Sequence, residues 1–540
     1  MHYAQLHQVR QELTGPGGPF EIIEAEVLGR RMKIYKNAPP SAREFWLSTA
    51  AFGARDYLVY QNERLTYAQS HDQVRAVTAW LWEQGVRPGD RVAIAMRNYP
   101  EWMLVYWACL CIGVAAVGTN AWWTPEELDY ALADSTPKVI FADAERLARL
   151  AECAGAAAKV TTVAVRADAP GTVPWSEVIA HLGAMPDVTV DPDSDACIFY
   201  TSGTTGHPKG AQLTHRGCVS NLMNLLYAGA SSGMATERGG GAAIPAEPPI
   251  PATLVTTPLF HVTANNCAAY AATAQGGKLV LMYRWDAGEA LKLIEAERCN
   301  GLSGVPVMAR ELINHPDFDK HDTSSLLNMS GGGAQVPPDQ VGAIDQKIPS
   351  ARPSTGYGMT ETCGIITSVG GDFFVDRPDS AGPSMPNFDV KCVDDDGNAV
   401  PQGEVGELWV KGSSVIKGYL NRPDANEASF TDGWLHTGDV ARIDADGFIY
   451  IVDRKKDMVL RGGENVFCTE VEAGIYRHPA VAECCVFGVP DERLGEEVGV
   501  AVVLKPGEAL DAETLRAHCG GVMAKHKVPR YVWFMDQALP

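Results

Sequence analysis

No pair among the 13 cysteines of this 540-residue chain has the C-x-x-C spacing of a zinc or redox motif. Cys109 and Cys111 lie in an apolar run, and Cys484 and Cys485 are adjacent, a pattern of reduced core thiols rather than a disulfide framework. Positive charge is also scarce. The 45 Lys and Arg against 66 Asp and Glu leave a net charge of −21, which argues against a general binder of nucleic acid or anionic membranes. A local loop can still bind phosphate inside an acidic protein. The N-terminus, MHYAQLHQVRQEL, has no basic stretch followed by an apolar block, so it does not read as a secretory signal. No apolar run is convincingly long enough for a membrane span. The best candidate, WMLVYWACLCIGVAAVG at 102–118, is 17 residues and is interrupted by Gly113. Pro100 and Glu101 in front of it mark a helix start, so the spacing predicts a buried helix and then a short strand at 114–117. The expectation is a cytoplasmic protein with no transmembrane segment.

What the chain does have is an ordinary globular composition, 46% apolar and 21% charged, which excludes disorder. Its length predicts about three to four domains. Helical spacing over 65–85, then short apolar strands at 91–96 and 138–143, predicts a doubly wound parallel α/β sheet. The same pattern returns after residue 190, with strands at 196–200, 252–260, 278–282 and 301–306. Between them, 228–251 is rich in Gly, Ala, Pro and Ser and reads as an aperiodic surface insertion. From about 381, short strands and tight turns predict an antiparallel, barrel-like β unit, and from about 455 a small α+β module. The expected organisation is an N-terminal body over 1–454, with α/β subdomains at about 1–190 and 191–380 and a β unit at 381–454. A mobile C-terminal α+β domain at 455–540 follows. The tryptophan pairs 102/107 and 122/123 read as core.

The strongest chemical signal is YTSGTTGHPKG at 200–210, directly after a strand. Gly203, Gly206 and Gly210 let the backbone turn tightly and present N–H groups. Thr201, Ser202, Thr204 and Thr205 add hydroxyl donors, and Lys209 supplies a cation, a set suited to a nucleotide triphosphate. The spacing is not that of a Walker loop. Further along stand PLFHV (258–262), SGGGAQVP (330–337), STGYGMTET (354–362), GWLHTGD (433–439) and DRKKDMVLRGGENV (453–466).

With these motifs in this order over nearly the whole chain, the sequence resembles the adenylate-forming superfamily. That group comprises acyl- and aryl-CoA synthetases, firefly-luciferase-like enzymes and peptide-synthetase adenylation domains. The resemblance implies that 1–454 is an AMP-binding domain and that ATP, Mg²⁺ and coenzyme A are used. It implies that Thr360 contacts the adenylate phosphate and that Glu361 ligates Mg²⁺, a role a carboxylate beside a phosphate loop suits. It gives Gly332, Gly333, Tyr357 and Gly358 to the adenine side, and Asp439 and Arg454 to the ribose. His261 becomes the gate of an acyl pocket shared with Ala264, Gly333 and Met359. Lys456 takes the hinge position, and Gly462, Gly463 and Glu464 line the pantetheine approach.

The implied reaction has two steps. A carboxylate attacks the α-phosphate of ATP, pyrophosphate leaves, and the CoA thiol then displaces AMP from the acyl-adenylate. Members of the family carry a lysine in a P-x-x-x-x-G-K context near the C-terminus, whereas this chain stops at QALP (537–540), about where that motif begins. The expectation is a C-terminal domain truncated at its end, slow adenylation, and retained thiolation of a preformed adenylate. Thr263, Ala264, Asn265 and Asn266 after the gate supply no cation for a second carboxylate. The expected substrate is a medium- to long-chain fatty acid, with aryl acids, a carrier-protein acceptor, or a catalytically silent nucleotide- or acyl-binding protein as alternatives. The expected partners are a small carboxylic acid and CoA, with no nucleic acid, and a homodimer is compatible with the sequence.

Overall fold

Strands read from short apolar runs become two twisted sheets in the first of two units. The structure, a computed structural model, describes all residues except 1–2, 154, 156–159, 202–206, 242–246, 248, 334–335, 463, 538 and 540, together with the side chains of 338 and 339. By its contacts the chain forms one unit from Met1–Asp389 with Lys411–Gly433, and a second from Val390–Val410 with Trp434–Pro540. The β unit expected at 381–454 is thus shared between the two.

In the first unit, one sheet runs in the order Lys209–Thr214, Asp195–Thr201, Ala115–Gly118, Arg91–Ala95, Val139–Asp143, Thr161–Val165, Val173–Pro174. All of its pairings are parallel except the first, an antiparallel hairpin. The other sheet runs Gly364–Gly370, Arg352–Met359, Asn328–Gly331, Gly301–Gly304, Ala252–Val255, Lys278–Leu281, Asp56–Tyr60, Glu63–Thr66. Its centre is parallel and each edge is an antiparallel hairpin. A division of the chain at residue 190 does not divide these sheets. The hairpin 56–66 completes the second sheet, while 195–214 completes the first. Apolar patterning fixes a strand's faces but not which sheet it joins.

The apolar run at 102–118 folds as a helix, Pro100–Cys111, buried on every side, followed by the strand Ala115–Gly118. Proline at its first turn and Gly113 at φ 64 set its ends. No described helix is long and apolar enough to cross a membrane. Trp46 stacks on Trp107 at 5.1 Å between ring centres, and the Trp107 indole donates to Tyr57 Oη at 2.7 Å, whereas the Trp46 indole N–H is buried with no partner among the described residues. Trp102, Trp107 and Trp123 are core as expected, but Trp122 is 55% exposed, edge-on to Phe260 at 5.4 Å.

The stretch at 228–251 departs from expectation. Its first part continues the helix His215–Arg238, with Tyr227, Ser231 and Ala235 buried along one face. Spacing of four residues suffices for a helix even where small residues blur the hydrophobic pattern.

The second unit contains the strands Trp434–Ile443 and Phe448–Arg454, paired antiparallel, with Val405–Val410 pairing the former. It also holds a sheet in which Val481–Asp491 and Gly495–Leu504 form a long hairpin and Tyr531–Phe534 adds in parallel. Helices Cys468–Tyr476 and Ala512–Val522 contribute Val471, Ile475, Leu515 and Cys519 to a core with Val498, Val500 and Val502.

Candidate active site

In parallel α/β sheets the chain leaves each strand at its carboxyl end, and ligand-binding loops gather there. The strands ending at Val255, Gly304, Gly331 and Met359 are mutually parallel, so their following segments share one edge of the second sheet. Those segments carry His261, the glycines 332 and 333 and the Thr360–Glu361 turn.

The hairpin of Asp195–Thr201 and Lys209–Thr214 opens between Thr201 and Lys209, which face each other across the ladder. Ser202, Gly203, Thr204, Thr205 and Gly206 lie outside the described residues. Glu361 sits in the one-turn helix Thr360–Thr362, directly after the strand Arg352–Met359, and is buried. Its Oε1 lies 3.4 Å from Thr201 Oγ1 and accepts a 2.8 Å hydrogen bond from the Tyr419 hydroxyl. The ammonium of Lys209 sits 4.1 Å from the centre of the Tyr419 ring. The structure thus brings Thr201, Lys209, Thr360 and Glu361 together, and adds Tyr419, which the sequence reading missed.

Tyr419 reaches this place through backbone bonds. Gln212 N–H donates to Gly418 O at 2.9 Å, Lys417 N–H to Gln212 O at 3.1 Å and Leu420 N–H to Gly210 O at 2.8 Å, so 417–420 line the open edge of Lys209–Thr214. Ile416 N–H donates to Glu361 O at 2.9 Å. Burial, reinforced by the Glu361 charge, raises the Tyr419 phenol above its ordinary range, so it remains a donor.

Close packing shapes the turn itself. A Cβ at Gly358 would come within 1.9 Å of Gly364 O, so only glycine fits there. Cys363 takes the left-handed conformation at φ 56 to bring the chain back for the return strand. Tyr357 stands half-buried opposite Thr367, and Met359 half-buried opposite Gly364. Gly332 donates its N–H to Gly304 O at 3.0 Å, and Gly333 follows at φ 77.

His261 is differently placed from the expected strand end. The strand stops at Val255, and His261 lies six residues on, in a turn that leads into π-helical Thr263–Ala269. Such π-helical turns are uncommon and occur frequently at functional sites. Burial lowers the His261 imidazole below its ordinary value, which keeps it neutral. Ala264 is fully buried one turn further on.

Three buried asparagines hold this irregular backbone. Asn98 donates to Thr257 O and accepts from Leu259 N–H, both at 2.9 Å. Asn221 donates to Asn266 O and accepts from Ile365 N–H, both at 2.9 Å. Asn266 Nδ2 donates to Cys363 O at 3.1 Å, tying the gate segment to the Glu361 turn. Isolated asparagines carry no motif, so only the tertiary contacts reveal them.

In the second unit, Asp439 pairs in register with Arg454, whose Nε lies 3.6 Å from Asp439 Oδ1. Asp439 is buried within Trp434–Ile443, after Gly438 at φ 72. Lys455 is engaged with Glu407 at 3.2 Å and Asp395 at 3.1 Å, whereas Lys456 is exposed just past the strand. Gly462 turns at φ 61, Gly463 lies outside the described residues, and Glu464 is exposed at the start of Glu464–Val466.

A hard divalent ion that bridges phosphates takes one or two protein carboxylates, its remaining ligands coming from water and substrate. Glu361 fits that demand. Its Oε1 is held by hydroxyl donors, and among the described residues nothing bonds its Oε2. Among the described residues no cluster of three or more His, Cys, Asp or Glu is placed for a dedicated metal cage.

Two family models match the chain: the AMP-binding enzyme over residues 45–420, and the AMP-binding enzyme C-terminal domain over 470–540. A feruloyl-CoA synthase of an Amycolatopsis species is 36% identical over 476 residues, covering 88% of this chain and 90% of that protein. A long-chain-fatty-acid–CoA ligase of Escherichia coli O6:H1 is 32% identical over 526 residues, covering 91% and 90%. Among solved structures, o-succinylbenzoate CoA synthetase from Bacillus subtilis in complex with its acyl-adenylate intermediate superposes with a TM-score of 0.77. It is 28% identical, with coverage of 93% of this chain and 96% of that one. The chain belongs to the adenylate-forming, AMP-binding enzyme family and is an AMP-forming acid–thiol ligase that uses ATP, Mg²⁺ and CoA.

Proposed function

We propose that the acid activated by this ligase has an uncharged aromatic tail. The gate segment carries the uncharged part of this reading. His261 is kept neutral by burial, and Thr263–Ala269, TANNCAA, contains no charged side chain to receive a second carboxylate. The 36% identity to a feruloyl-CoA synthase supports an aryl acid. A medium- to long-chain fatty acid is the second reading, supported by the small residues of the segment and by the 32% identity to a long-chain ligase.

In this reading the loop 201–206 and Lys209 hold the triphosphate in line for attack by the acid. Thr360 donates to the α-phosphate, and Tyr357 with Gly332, Gly333 and Gly358 borders the adenine. Asp439 and Arg454 take the ribose hydroxyls. Glu361 would hold Mg²⁺, which when bound neutralises phosphate charge. His261, Ala264, Gly333 and Met359 border the acyl group, and Gly462, Gly463 and Glu464 the pantetheine arm. Lys456, exposed just after the strand Phe448–Arg454, is the pivot between the two half-reactions.

The test is AMP release from ATP, Mg²⁺ and CoA with a panel of hydroxycinnamic, benzoic and C8–C16 fatty acids. The highest kcat/KM is expected with an aryl acid. A fatty acid in first place would transfer the assignment to the second reading, and no AMP with any acid would remove both.

A further inference from the structure

We infer that Tyr419 is a positioning residue that keeps the metal carboxylate and the phosphate lysine from neutralising each other. The inference rests on the roles given above to Glu361 and Lys209. These two oppositely charged side chains converge on one tyrosine, yet among the described residues neither makes an ion pair. Tyr419 contacts both of them. Its ring face takes the ammonium at 4.1 Å, and its hydroxyl takes Glu361 Oε1 at 2.8 Å. A cation over an aromatic face is attracted without being neutralised. A hydrogen bond from a phenol orients a carboxylate while leaving it charged.

The consequence concerns the protein before nucleotide arrives. A bridge between Lys209 and Glu361 would have to be broken before Glu361 could take a metal and Lys209 a phosphate. With Tyr419 in place, Lys209 stays available for phosphate and Glu361 Oε2 for the metal. The residue is itself fixed from both sides, through Ala211↔Tyr419 pairing and through Asn426 Oδ1, which accepts from Tyr419 N–H at 2.7 Å. That rigidity is what a second layer of support around a metal ligand requires.

The readout is the coupling between metal and nucleotide: the affinity of α,β-methylene-ATP with Mn²⁺ divided by its affinity in EDTA, measured by calorimetry. Tyr419→Phe keeps the ring and loses the hydroxyl, and the coupling is expected to fall about ten-fold, the low end for lost outer-shell partners. Tyr419→Leu removes ring and hydroxyl and is expected to abolish the coupling as Lys209 closes onto Glu361. Adding Lys209→Gln to Tyr419→Leu then restores part of the coupling, although Lys209→Gln alone weakens nucleotide binding. A merely structural Tyr419 would not let removal of the lysine recover the metal coupling. Unchanged coupling in both Tyr419 variants, or no recovery in the double variant, overturns the role of Tyr419 and leaves the ligase assignment intact. A wild-type chain that binds nucleotide without any metal dependence overturns the Glu361 reading, and the inference with it.

Discussion

Removing the Asn98 side chain should loosen the gate without touching the reacting atoms. The amide is buried, and it satisfies Thr257 O and Leu259 N–H, two backbone groups in a segment that has left the sheet at Val255. Asn98→Ala leaves both groups buried and unpaired, at about 1–3 kcal/mol each, or about 2–6 kcal/mol together. Global unfolding of a two-unit chain is a poor measure of this, because its transition need not be two-state. Hydrogen exchange of peptides covering 256–262 reports local opening directly. At about 1.4 kcal/mol per factor of ten, protection there should fall by at least about thirty-fold. Protection of the buried helix Pro100–Cys111 should change far less. The KM for the acid should rise, and that for ATP should not. Asn98→Asp keeps an acceptor for Leu259 N–H but places a carboxylate against Thr257 O, so it should be no better than alanine. Protection within two-fold of wild type in Asn98→Ala would show that the turn is held by its own packing rather than by Asn98.

Other outcomes follow from the same geometry. Glu361→Gln keeps the acceptor for Tyr419 but lowers the charge offered to a metal, so adenylation should drop about 10²–10³-fold with Mg²⁺. An undiminished pyrophosphate-exchange rate would refute the metal role. Asp439→Asn should raise the KM for ATP about ten-fold through weaker ribose acceptance, with CoA affinity measured alongside as a control. His215 is fully buried, neither ring nitrogen has a partner among the described residues, and burial lowers its pKa to about 3. Its folded pKa lies below the unfolded value, so the unfolded chain binds the extra proton. Stability is therefore full above about pH 6.5 and is lost at about 1.4 kcal/mol per pH unit as the pH falls toward 3. His215→Phe should remove one proton from the acid limb of the unfolding profile, and an unaltered slope would show that His215 is solvated in the native state.

Much of this was legible before the fold was known, and the reasons are local. Alternating apolar strands and amphipathic helices announce a doubly wound sheet, because each strand has to bury both faces. Glycine- and hydroxyl-rich segments next to strand ends announce phosphate chemistry, because backbone N–H groups need room to converge. The parts that escaped depend on distance in the chain. The hairpin 56–66 joins a sheet whose other strands begin at residue 252, and nothing local records that partner. Tyr419 meets Glu361 across 58 positions and Lys209 across a still longer stretch, so no spacing rule connects them. Trp122 resembles Trp123 in sequence, yet one ring is exposed and the other is buried against Tyr200, a partner 77 positions away.

The placement of the three asparagines follows from a conflict built into any such site. A ligand pocket requires the chain to leave the sheet, and a segment that leaves the sheet loses the ladder partners of its backbone groups. Asn98 replaces the lost partners at Thr257 and Leu259, and Asn221 ties Asn266 O in the π-helical turn to Ile365 N–H at the start of the edge strand Gly364–Gly370. Asparagine suits the task because one short side chain carries both a donor and an acceptor. Gly364 completes the arrangement, since a Cβ there would lie 2.2 Å from Asn221 Oδ1. Asn266 then joins the gate segment to Cys363, two residues beyond Glu361. The gate and the carboxylate turn are therefore one hydrogen-bonded body rather than two loops. If so, Asn221→Ala should lower exchange protection at 262–267 and at 363–366 together, and loss at only one of them would show that the two move independently.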